Sequence, residues 1–182
     1  FMAPALAWLR DVTFVDTAGV CFRAREVFFC FAKAAHAHAH AADDASAATA
    51  AQIGLAVLSA APTEAKRATG KQSALRLDNA AWDAVAVAVM EAAAEQQLEQ
   101  NSRLRSVLLG TAGSVIVEAS PYDPRWGIGL GMALAAATPR AVWGTNLHGR
   151  LLMRRRLLLE VDGPPHGPDG VAGHSSTEIG IG

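Results

Sequence analysis

The stretch Val117–Gly129, Val-Glu-Ala-Ser-Pro-Tyr-Asp-Pro-Arg-Trp-Gly-Ile-Gly, constrains this chain more than any other. A short apolar run, Val115-Ile116-Val117, feeds into it and reads as a buried strand or helix edge that ends in a turn. Pro121 and Pro124 fix φ on either side of Asp123, so the acid sits on a stiff backbone. Gly127 and Gly129 let the main chain take positive φ or come close to a ligand. Asp123, the Arg125 guanidinium, the Trp126 indole and bare glycine backbone on one rigid loop suit a sugar or nucleotide. A connecting turn with a core tryptophan accounts for the same residues.

The chain has 182 residues, enough for one domain with a sizeable core. Hydrophobic residues make up 51% and the formal net charge is −1, so the chain as a whole is neither a disordered segment nor a polycation. Broad nucleic-acid binding needs many phosphate contacts, and a near-neutral chain does not supply them. One anionic small ligand held by a few local cations is compatible with this charge. No apolar run reaches the roughly 18 residues of a membrane span. Cys21 and Cys30 lie in an apolar segment and read as reduced core residues. With no charged n-region or cleavage pattern at the start, a cytoplasmic compartment is the default, and an organelle is left open.

Val12 to Phe22 reads as two short extended pieces joined by a turn at Asp16-Thr17-Ala18-Gly19. Glu26 to Ala35 reads as a helix whose apolar face carries Phe28, Phe29, Phe31 and Ala32. Glu26 and Lys33 are about two turns apart and so share one side of it. Glu26 also gains from the dipole at the helix start, which by itself explains a first-turn acid. The 34–52 stretch is rich in alanine and histidine and reads as an insertion, either a solvated helix extension or a mobile loop. His36 and His40 share a face while His38 points away, which is short of a metal ligand set. Pro62, with a polar cap ahead of it, starts a helix that Gly70-Lys71 ends.

Asn79 to Asn101 reads as the long helix of the domain, with Trp82, Val85, Val89 and Ala93 as its core stripe and Met90 beside them. Glu91, Glu95, Gln96 and Glu99 read as its solvated face. A shorter helix follows at Leu104–Leu109. The last helix opens after Asn146, which can cap it or touch a ligand, and a free helix N-terminus can receive a phosphate. Leu147, Leu151, Leu152 and Leu158 face the core, and Arg154-Arg155-Arg156 reads as a solvated charge run. Residues 162–182, rich in Pro and Gly, read as a disordered tail, leaving one domain over 1–161.

The 117–129 stretch resembles the signature loop of the NADAR (YbiA-like) N-glycosidase family. Gly144-Thr-Asn-Leu-His-Gly149, with Leu151-Leu-Met153 and Arg156, resembles its closing motif. Glu26-Val-Phe-Phe-Cys-Phe-Ala-Lys33 resembles its first motif more loosely, and Glu64-Ala-Lys-Arg67 with Gly70-Lys71 resembles a stretch between. Trp82 also matches a family tryptophan. The departures are local: Val27 and Cys30 replace a histidine and a glutamine, His148 replaces a leucine, and Leu6-Ala-Trp-Leu-Arg10 lacks an expected asparagine.

The resemblance implies a mainly α single domain with a few short strands that hydrolyses the bond between a base and a ribose phosphate or ADP-ribose. It implies Glu26 as the acid that activates water or stabilises the cation, with Asp123 as second carboxylate. Trp126 and Trp82 would wall in the base. Lys33, Arg125, Gly127, Gly129 and Asn146 would hold sugar and phosphate. No metal or redox cofactor is required. The partner implied is a small molecule, a ribosylaminopyrimidine phosphate of flavin biosynthesis or an ADP-ribosylated base, including one in nucleic acid. A module that binds ADP-ribose or a nucleotide without cleaving it is the rival reading.

Overall fold

The computed structural model describes residues 12–70 and 73–161. The expected tail at 162–182, the 6–10 segment and Lys71 lie outside the described residues. The architecture is mainly α, as the resemblance implies. A two-stranded hairpin, β1 (Phe14–Val15) and β2 (Cys21–Phe22), pairs antiparallel with Phe14 opposite Phe22. Asp16 closes its turn by accepting the Ala18 and Val20 amides, and Gly19 takes φ +82°. Among the described residues seven α-helices follow: α1 (Arg25–Ala39), α2 (Asp44–Ser59), α3 (Pro62–Ala68), α4 (Asn79–Glu99), α5 (Ser102–Leu109), α6 (Met132–Ala137) and α7 (Leu147–Val161).

Local chemistry starts most of these helices. Asp43 accepts the Ser46 amide, Asp78 accepts the Ala80 and Ala81 amides, and Asn101 accepts the Leu104 amide. Each is an Asx N-cap, worth about 1 kcal/mol over alanine. Pro62 opens α3, but the residue ahead of it is Ala61, with no side-chain cap. Glu64 reaches back instead to accept the Ala61 amide.

The 34–52 stretch completes α1 and starts α2, which form a helical hairpin. One face of it packs, with Ala34, Ala37 and Ala50 buried and a Cβ at Gly54 3.5 Å from the Ala34 methyl, while His38, Ala39, His40 and residues 42–45 are exposed. Small side chains on both helices are what let their backbones come this close.

In α4 the buried face runs Trp82, Ala86, Met90, Ala93, Gln97, with Ala94 and Leu98 beside it. Val85, expected in the core, is exposed. The apolar periodicity of this Ala/Val-rich helix is nearly uniform, so only its neighbours select the buried face. Leu158 is likewise exposed, and Leu159 takes its place inside.

The charges also differ from expectation. Arg154 meets Glu91 at 2.7 Å and Arg155 meets Glu95 at 2.6 Å, so the acidic face of α4 is bridged to α7. Arg156 is buried. Its guanidinium donates to the Thr111 and Ser114 carbonyls and, at 2.7 Å, to the Thr111 hydroxyl, tying α7 to the turn after α5. Among the described residues no helix is long and apolar enough to cross a membrane.

Replacing Arg156 by Met removes these charge-assisted bonds from a buried side chain, so we expect a loss of about 1.5–3 kcal/mol. Urea unfolding should show it as a lower midpoint at unchanged slope. Arg154→Met, which breaks only an exposed pair, should shift the midpoint by less than about a quarter of that.

Candidate functional site

The loop that opened the sequence reading is built around Asp123 and Glu118. One Asp123 carboxylate oxygen accepts the Arg125 amide at 3.0 Å and the Trp126 amide at 2.8 Å. Its carbonyl accepts Gly127 and Gly129. The Glu118 carbonyl takes Ser120 and Ile128, folding the loop onto itself. A Cβ at Gly127 would stand 2.7 Å from that carbonyl, so only glycine fits there.

Five main-chain bonds then join residues 144–148 to 124–128. The amides of Gly144, Thr145, Asn146, Leu147 and His148 donate to the carbonyls of Ile128, Pro124, Gly127, Arg125 and Trp126. The start of α7 is therefore capped by the loop, and these amides are not available to a phosphate. Asn146 stands there at φ +54°, a conformation asparagine tolerates better than most residues. Its Oδ1 accepts the Glu118 amide and its Nδ2 donates to the Ile116 carbonyl, both at 2.9 Å.

Residues 115–120 are extended, and their side chains alternate. Val115, Val117 and Ala119 line an apolar cavity of about 300 Å³ against α6 and Trp143. Glu118 and Ser120 face the opposite way, into a second cavity of about 440 Å³. Helix α1 forms one wall of this second cavity with Arg25, Glu26, Phe29, Cys30 and Lys33. Lys66, Thr69 and Gly70 from α3 and its end close one side, and Met90 of α4 lies beneath. Asp123, Trp126 and His148 complete it.

Of the residues singled out from the sequence, Glu26, Lys33, Asp123 and Trp126 share this cavity. Trp82 lies one layer behind: its ring meets Phe29 at 5.1 Å, and Phe29 meets Trp126 at 5.4 Å. It supports the aromatic wall rather than forming its surface. Arg125 turns away to pair with Asp83. Gly127, Gly129 and Asn146 build the loop, and their amides are engaged inside it.

Glu118 and Arg25 were not expected at the site; His148 stood out only as a departure from the closing motif, and Lys66 only within the Glu64–Arg67 stretch. The alternation at 115–120 was the signal for Glu118, since it puts a carboxylate on the face opposite two valines.

Burial tunes several groups here. Cys30 is pushed up to about 11, chiefly by desolvation, so it stays a thiol near neutrality. Its sulfur lies 3.8 Å from Glu26 Oε1, which places a weak donor beside the acid. Burial also lowers Lys33, against the pull of neighbouring anions, and its Nζ donates to the Thr69 carbonyl at 2.8 Å. His36 and His40 stack at 4.2 Å, and no group of three or more His, Cys, Asp or Glu that could hold a metal occurs among the described residues.

The model of the NADAR domain matches residues 7–160. The chain belongs to the NADAR family. A mimivirus protein named N-glycosidase R617, from Acanthamoeba polyphaga mimivirus, is 40% identical over 76 residues, 41% of this chain and 45% of that one. The chloroplastic riboflavin biosynthesis protein PYRR of Zea mays is 37% identical over 101 residues, 54% of this chain and 15% of that one. The matches thus span less than half the length of these curated relatives. The NMR structure of Escherichia coli YbiA superposes with a TM-score of 0.58 at 23% identity, over 86% of this chain and 80% of that one, and it shows the fold. In this NADAR domain the resembling stretches lie on α1, on α3 and its end, in the 117–129 loop and at the start of α7, and each contributes to the second cavity.

The two thiols should separate under alkylation. At pH 8 iodoacetamide should modify exposed Cys21 within minutes in the folded protein, while Cys30, buried and held as thiol, should react only on unfolding or when the pH approaches its raised value of about 11. Mass spectrometry of the tryptic peptides reads both.

Proposed function

We propose that this NADAR domain is an N-glycosidase that hydrolyses the bond between a base and a phosphorylated ribose. The observation that carries the reading is the meeting of Glu26, Asp123 and Trp126, distant in sequence, around one cavity edged by Lys33 and Lys66. The name of the mimivirus relative, an N-glycosidase, supports the same class of reaction, and that of the maize relative, a riboflavin biosynthesis protein, favours a flavin-related substrate.

Breaking such a bond builds positive charge at the anomeric carbon. A carboxylate beside that carbon stabilises the charge and can take a proton from attacking water. Glu26, on the first turn of α1, has this role. Asp123 is clamped by two loop amides, so its carboxylate is held in place for the ribose hydroxyls or the water. Trp126 and Phe29 form a flat apolar wall for the base. Lys33 and Lys66 are the cations for phosphate, in place of the Arg125 and loop-glycine arrangement expected from sequence, because Arg125 is paired elsewhere. The substrate is a ribosylaminopyrimidine phosphate or an ADP-ribosylated base.

A binding module without turnover is the second reading, favoured by one observation. The polar neighbours of the acid are reduced here: Val27 is wholly buried, and Cys30 gives Glu26 only a weak thiol contact.

Base release from both substrate types, followed by chromatography with calorimetric binding alongside, separates the two. We expect release by the wild type, a fall of at least ~100-fold in Glu26→Gln, and unchanged circular dichroism and thermal unfolding. Binding with no release would establish the module instead, and full turnover in Glu26→Gln would remove that residue from the chemistry.

A further inference from the structure

Glu118 and His148 form a second ionisable pair in the same cavity, apart from Glu26. His148 Nδ1 lies 3.3 Å from Glu118 Oε2, with side-chain exposures of 15% and 12%. Both line the cavity. Both are also fixed through their main chains: the Glu118 amide is held by the Asn146 side chain, and the His148 amide by the Trp126 carbonyl. A leucine would fill the volume of this imidazole without the cost of desolvating it. An imidazole held instead against a carboxylate that reaches a ligand cavity is a proton-transfer arrangement.

We propose that Glu118 is the acid that protonates the departing base and that His148 is its positioning residue and proton reservoir. This rests on the N-glycosidase reading above. The bond from the anomeric carbon to the base nitrogen breaks, and its electron pair stays on that nitrogen. The single proton that the pair shares between His148 Nδ1 and Glu118 Oε2 passes through the Glu118 carboxyl to the nitrogen, leaving a carboxylate and a neutral imidazole. The water oxygen bonds to the anomeric carbon and loses its proton to Glu26. One water is consumed; free base and sugar hydroxyl leave; solvent restores His148 and takes the Glu26 proton. Arg25, Glu26 and Lys33 on α1, Lys66 on α3 and Asp123 in the loop are the other charged groups lining the cavity, and a substitution at 148 leaves them in place.

The pair must carry its proton to act, so turnover should fall as pH rises and that proton is lost. The test compares two probes: a ribosylaminopyrimidine phosphate, whose base leaves poorly without a proton, and a nitrophenyl riboside phosphate, whose leaving group needs none. In His148→Gln and Glu118→Gln, kcat on the pyrimidine probe should fall at least ~10-fold more than on the nitrophenyl probe, with KM little changed. The alkaline limb of the pyrimidine pH profile should move to lower pH in His148→Gln, because the Glu118 carboxyl then titrates without its imidazole. His148→Leu, which conserves packing, should behave as His148→Gln does.

Equal losses on both probes, or an unmoved pH limb in an active His148→Gln, would overturn the assignment while leaving the glycosidase reading intact. A wild type that cleaves neither probe, nor an ADP-ribosylated base, would remove both.

Discussion

The amides at the start of α7 must find acceptors, and the carbonyls of the 118–129 loop supply them. This union is the constraint from which the candidate site follows. Without it the loop has no reason to lie against α7, and Asp123 and Trp126 have no fixed position relative to α1. Gly144 and Gly149 permit the approach: a side chain at the first would overlap Pro124, and at the second Ile116 and Asn146. The left-handed Asn146 then carries the constraint one step further, because its amide holds the extended segment at both Ile116 and Glu118. Positioning of the cavity's acids is therefore backbone chemistry first and side-chain chemistry second.

This arrangement also separates two kinds of cavity. The extended 115–120 segment is a partition, with valines toward an apolar space and carboxylate and hydroxyl toward a polar one. On the polar side, α1 brings Glu26 and Lys33 from two turns of one helix face. The aromatic series Trp126, Phe29, Trp82 keeps that face at a set distance from the loop through ring contacts of 5.1 and 5.4 Å. Packing and polar placement thus depend on each other: the rings hold the wall, and the wall carries the charges.

Several features were legible from residues alone. The hairpin showed itself by Asp16 and Gly19, and the long helix α4 by the length of its helical run from Asn79. The Glu26–Lys33 spacing placed both on one side of α1, and both line the cavity. Glycine and arginine roles were harder to read. Gly127 and Gly129 have the composition of a ligand cradle, yet their amides close the loop. Arg154, Arg155 and Arg156 look like one charged run, yet two bridge to α4 and the third is buried beneath the turn after α5.

The sequence by itself determined the helical elements, their caps and the stiff acid–indole loop, since each of these depends on residues within a turn of one another. The tertiary structure decided which α4 face is buried, that the α7 amides are occupied, and that Glu118 meets His148 thirty residues away. The physical reason is range: capping and periodicity act over three or four residues, whereas an ion pair or an amide–carbonyl bond between distant segments exists only after the chain has closed upon itself.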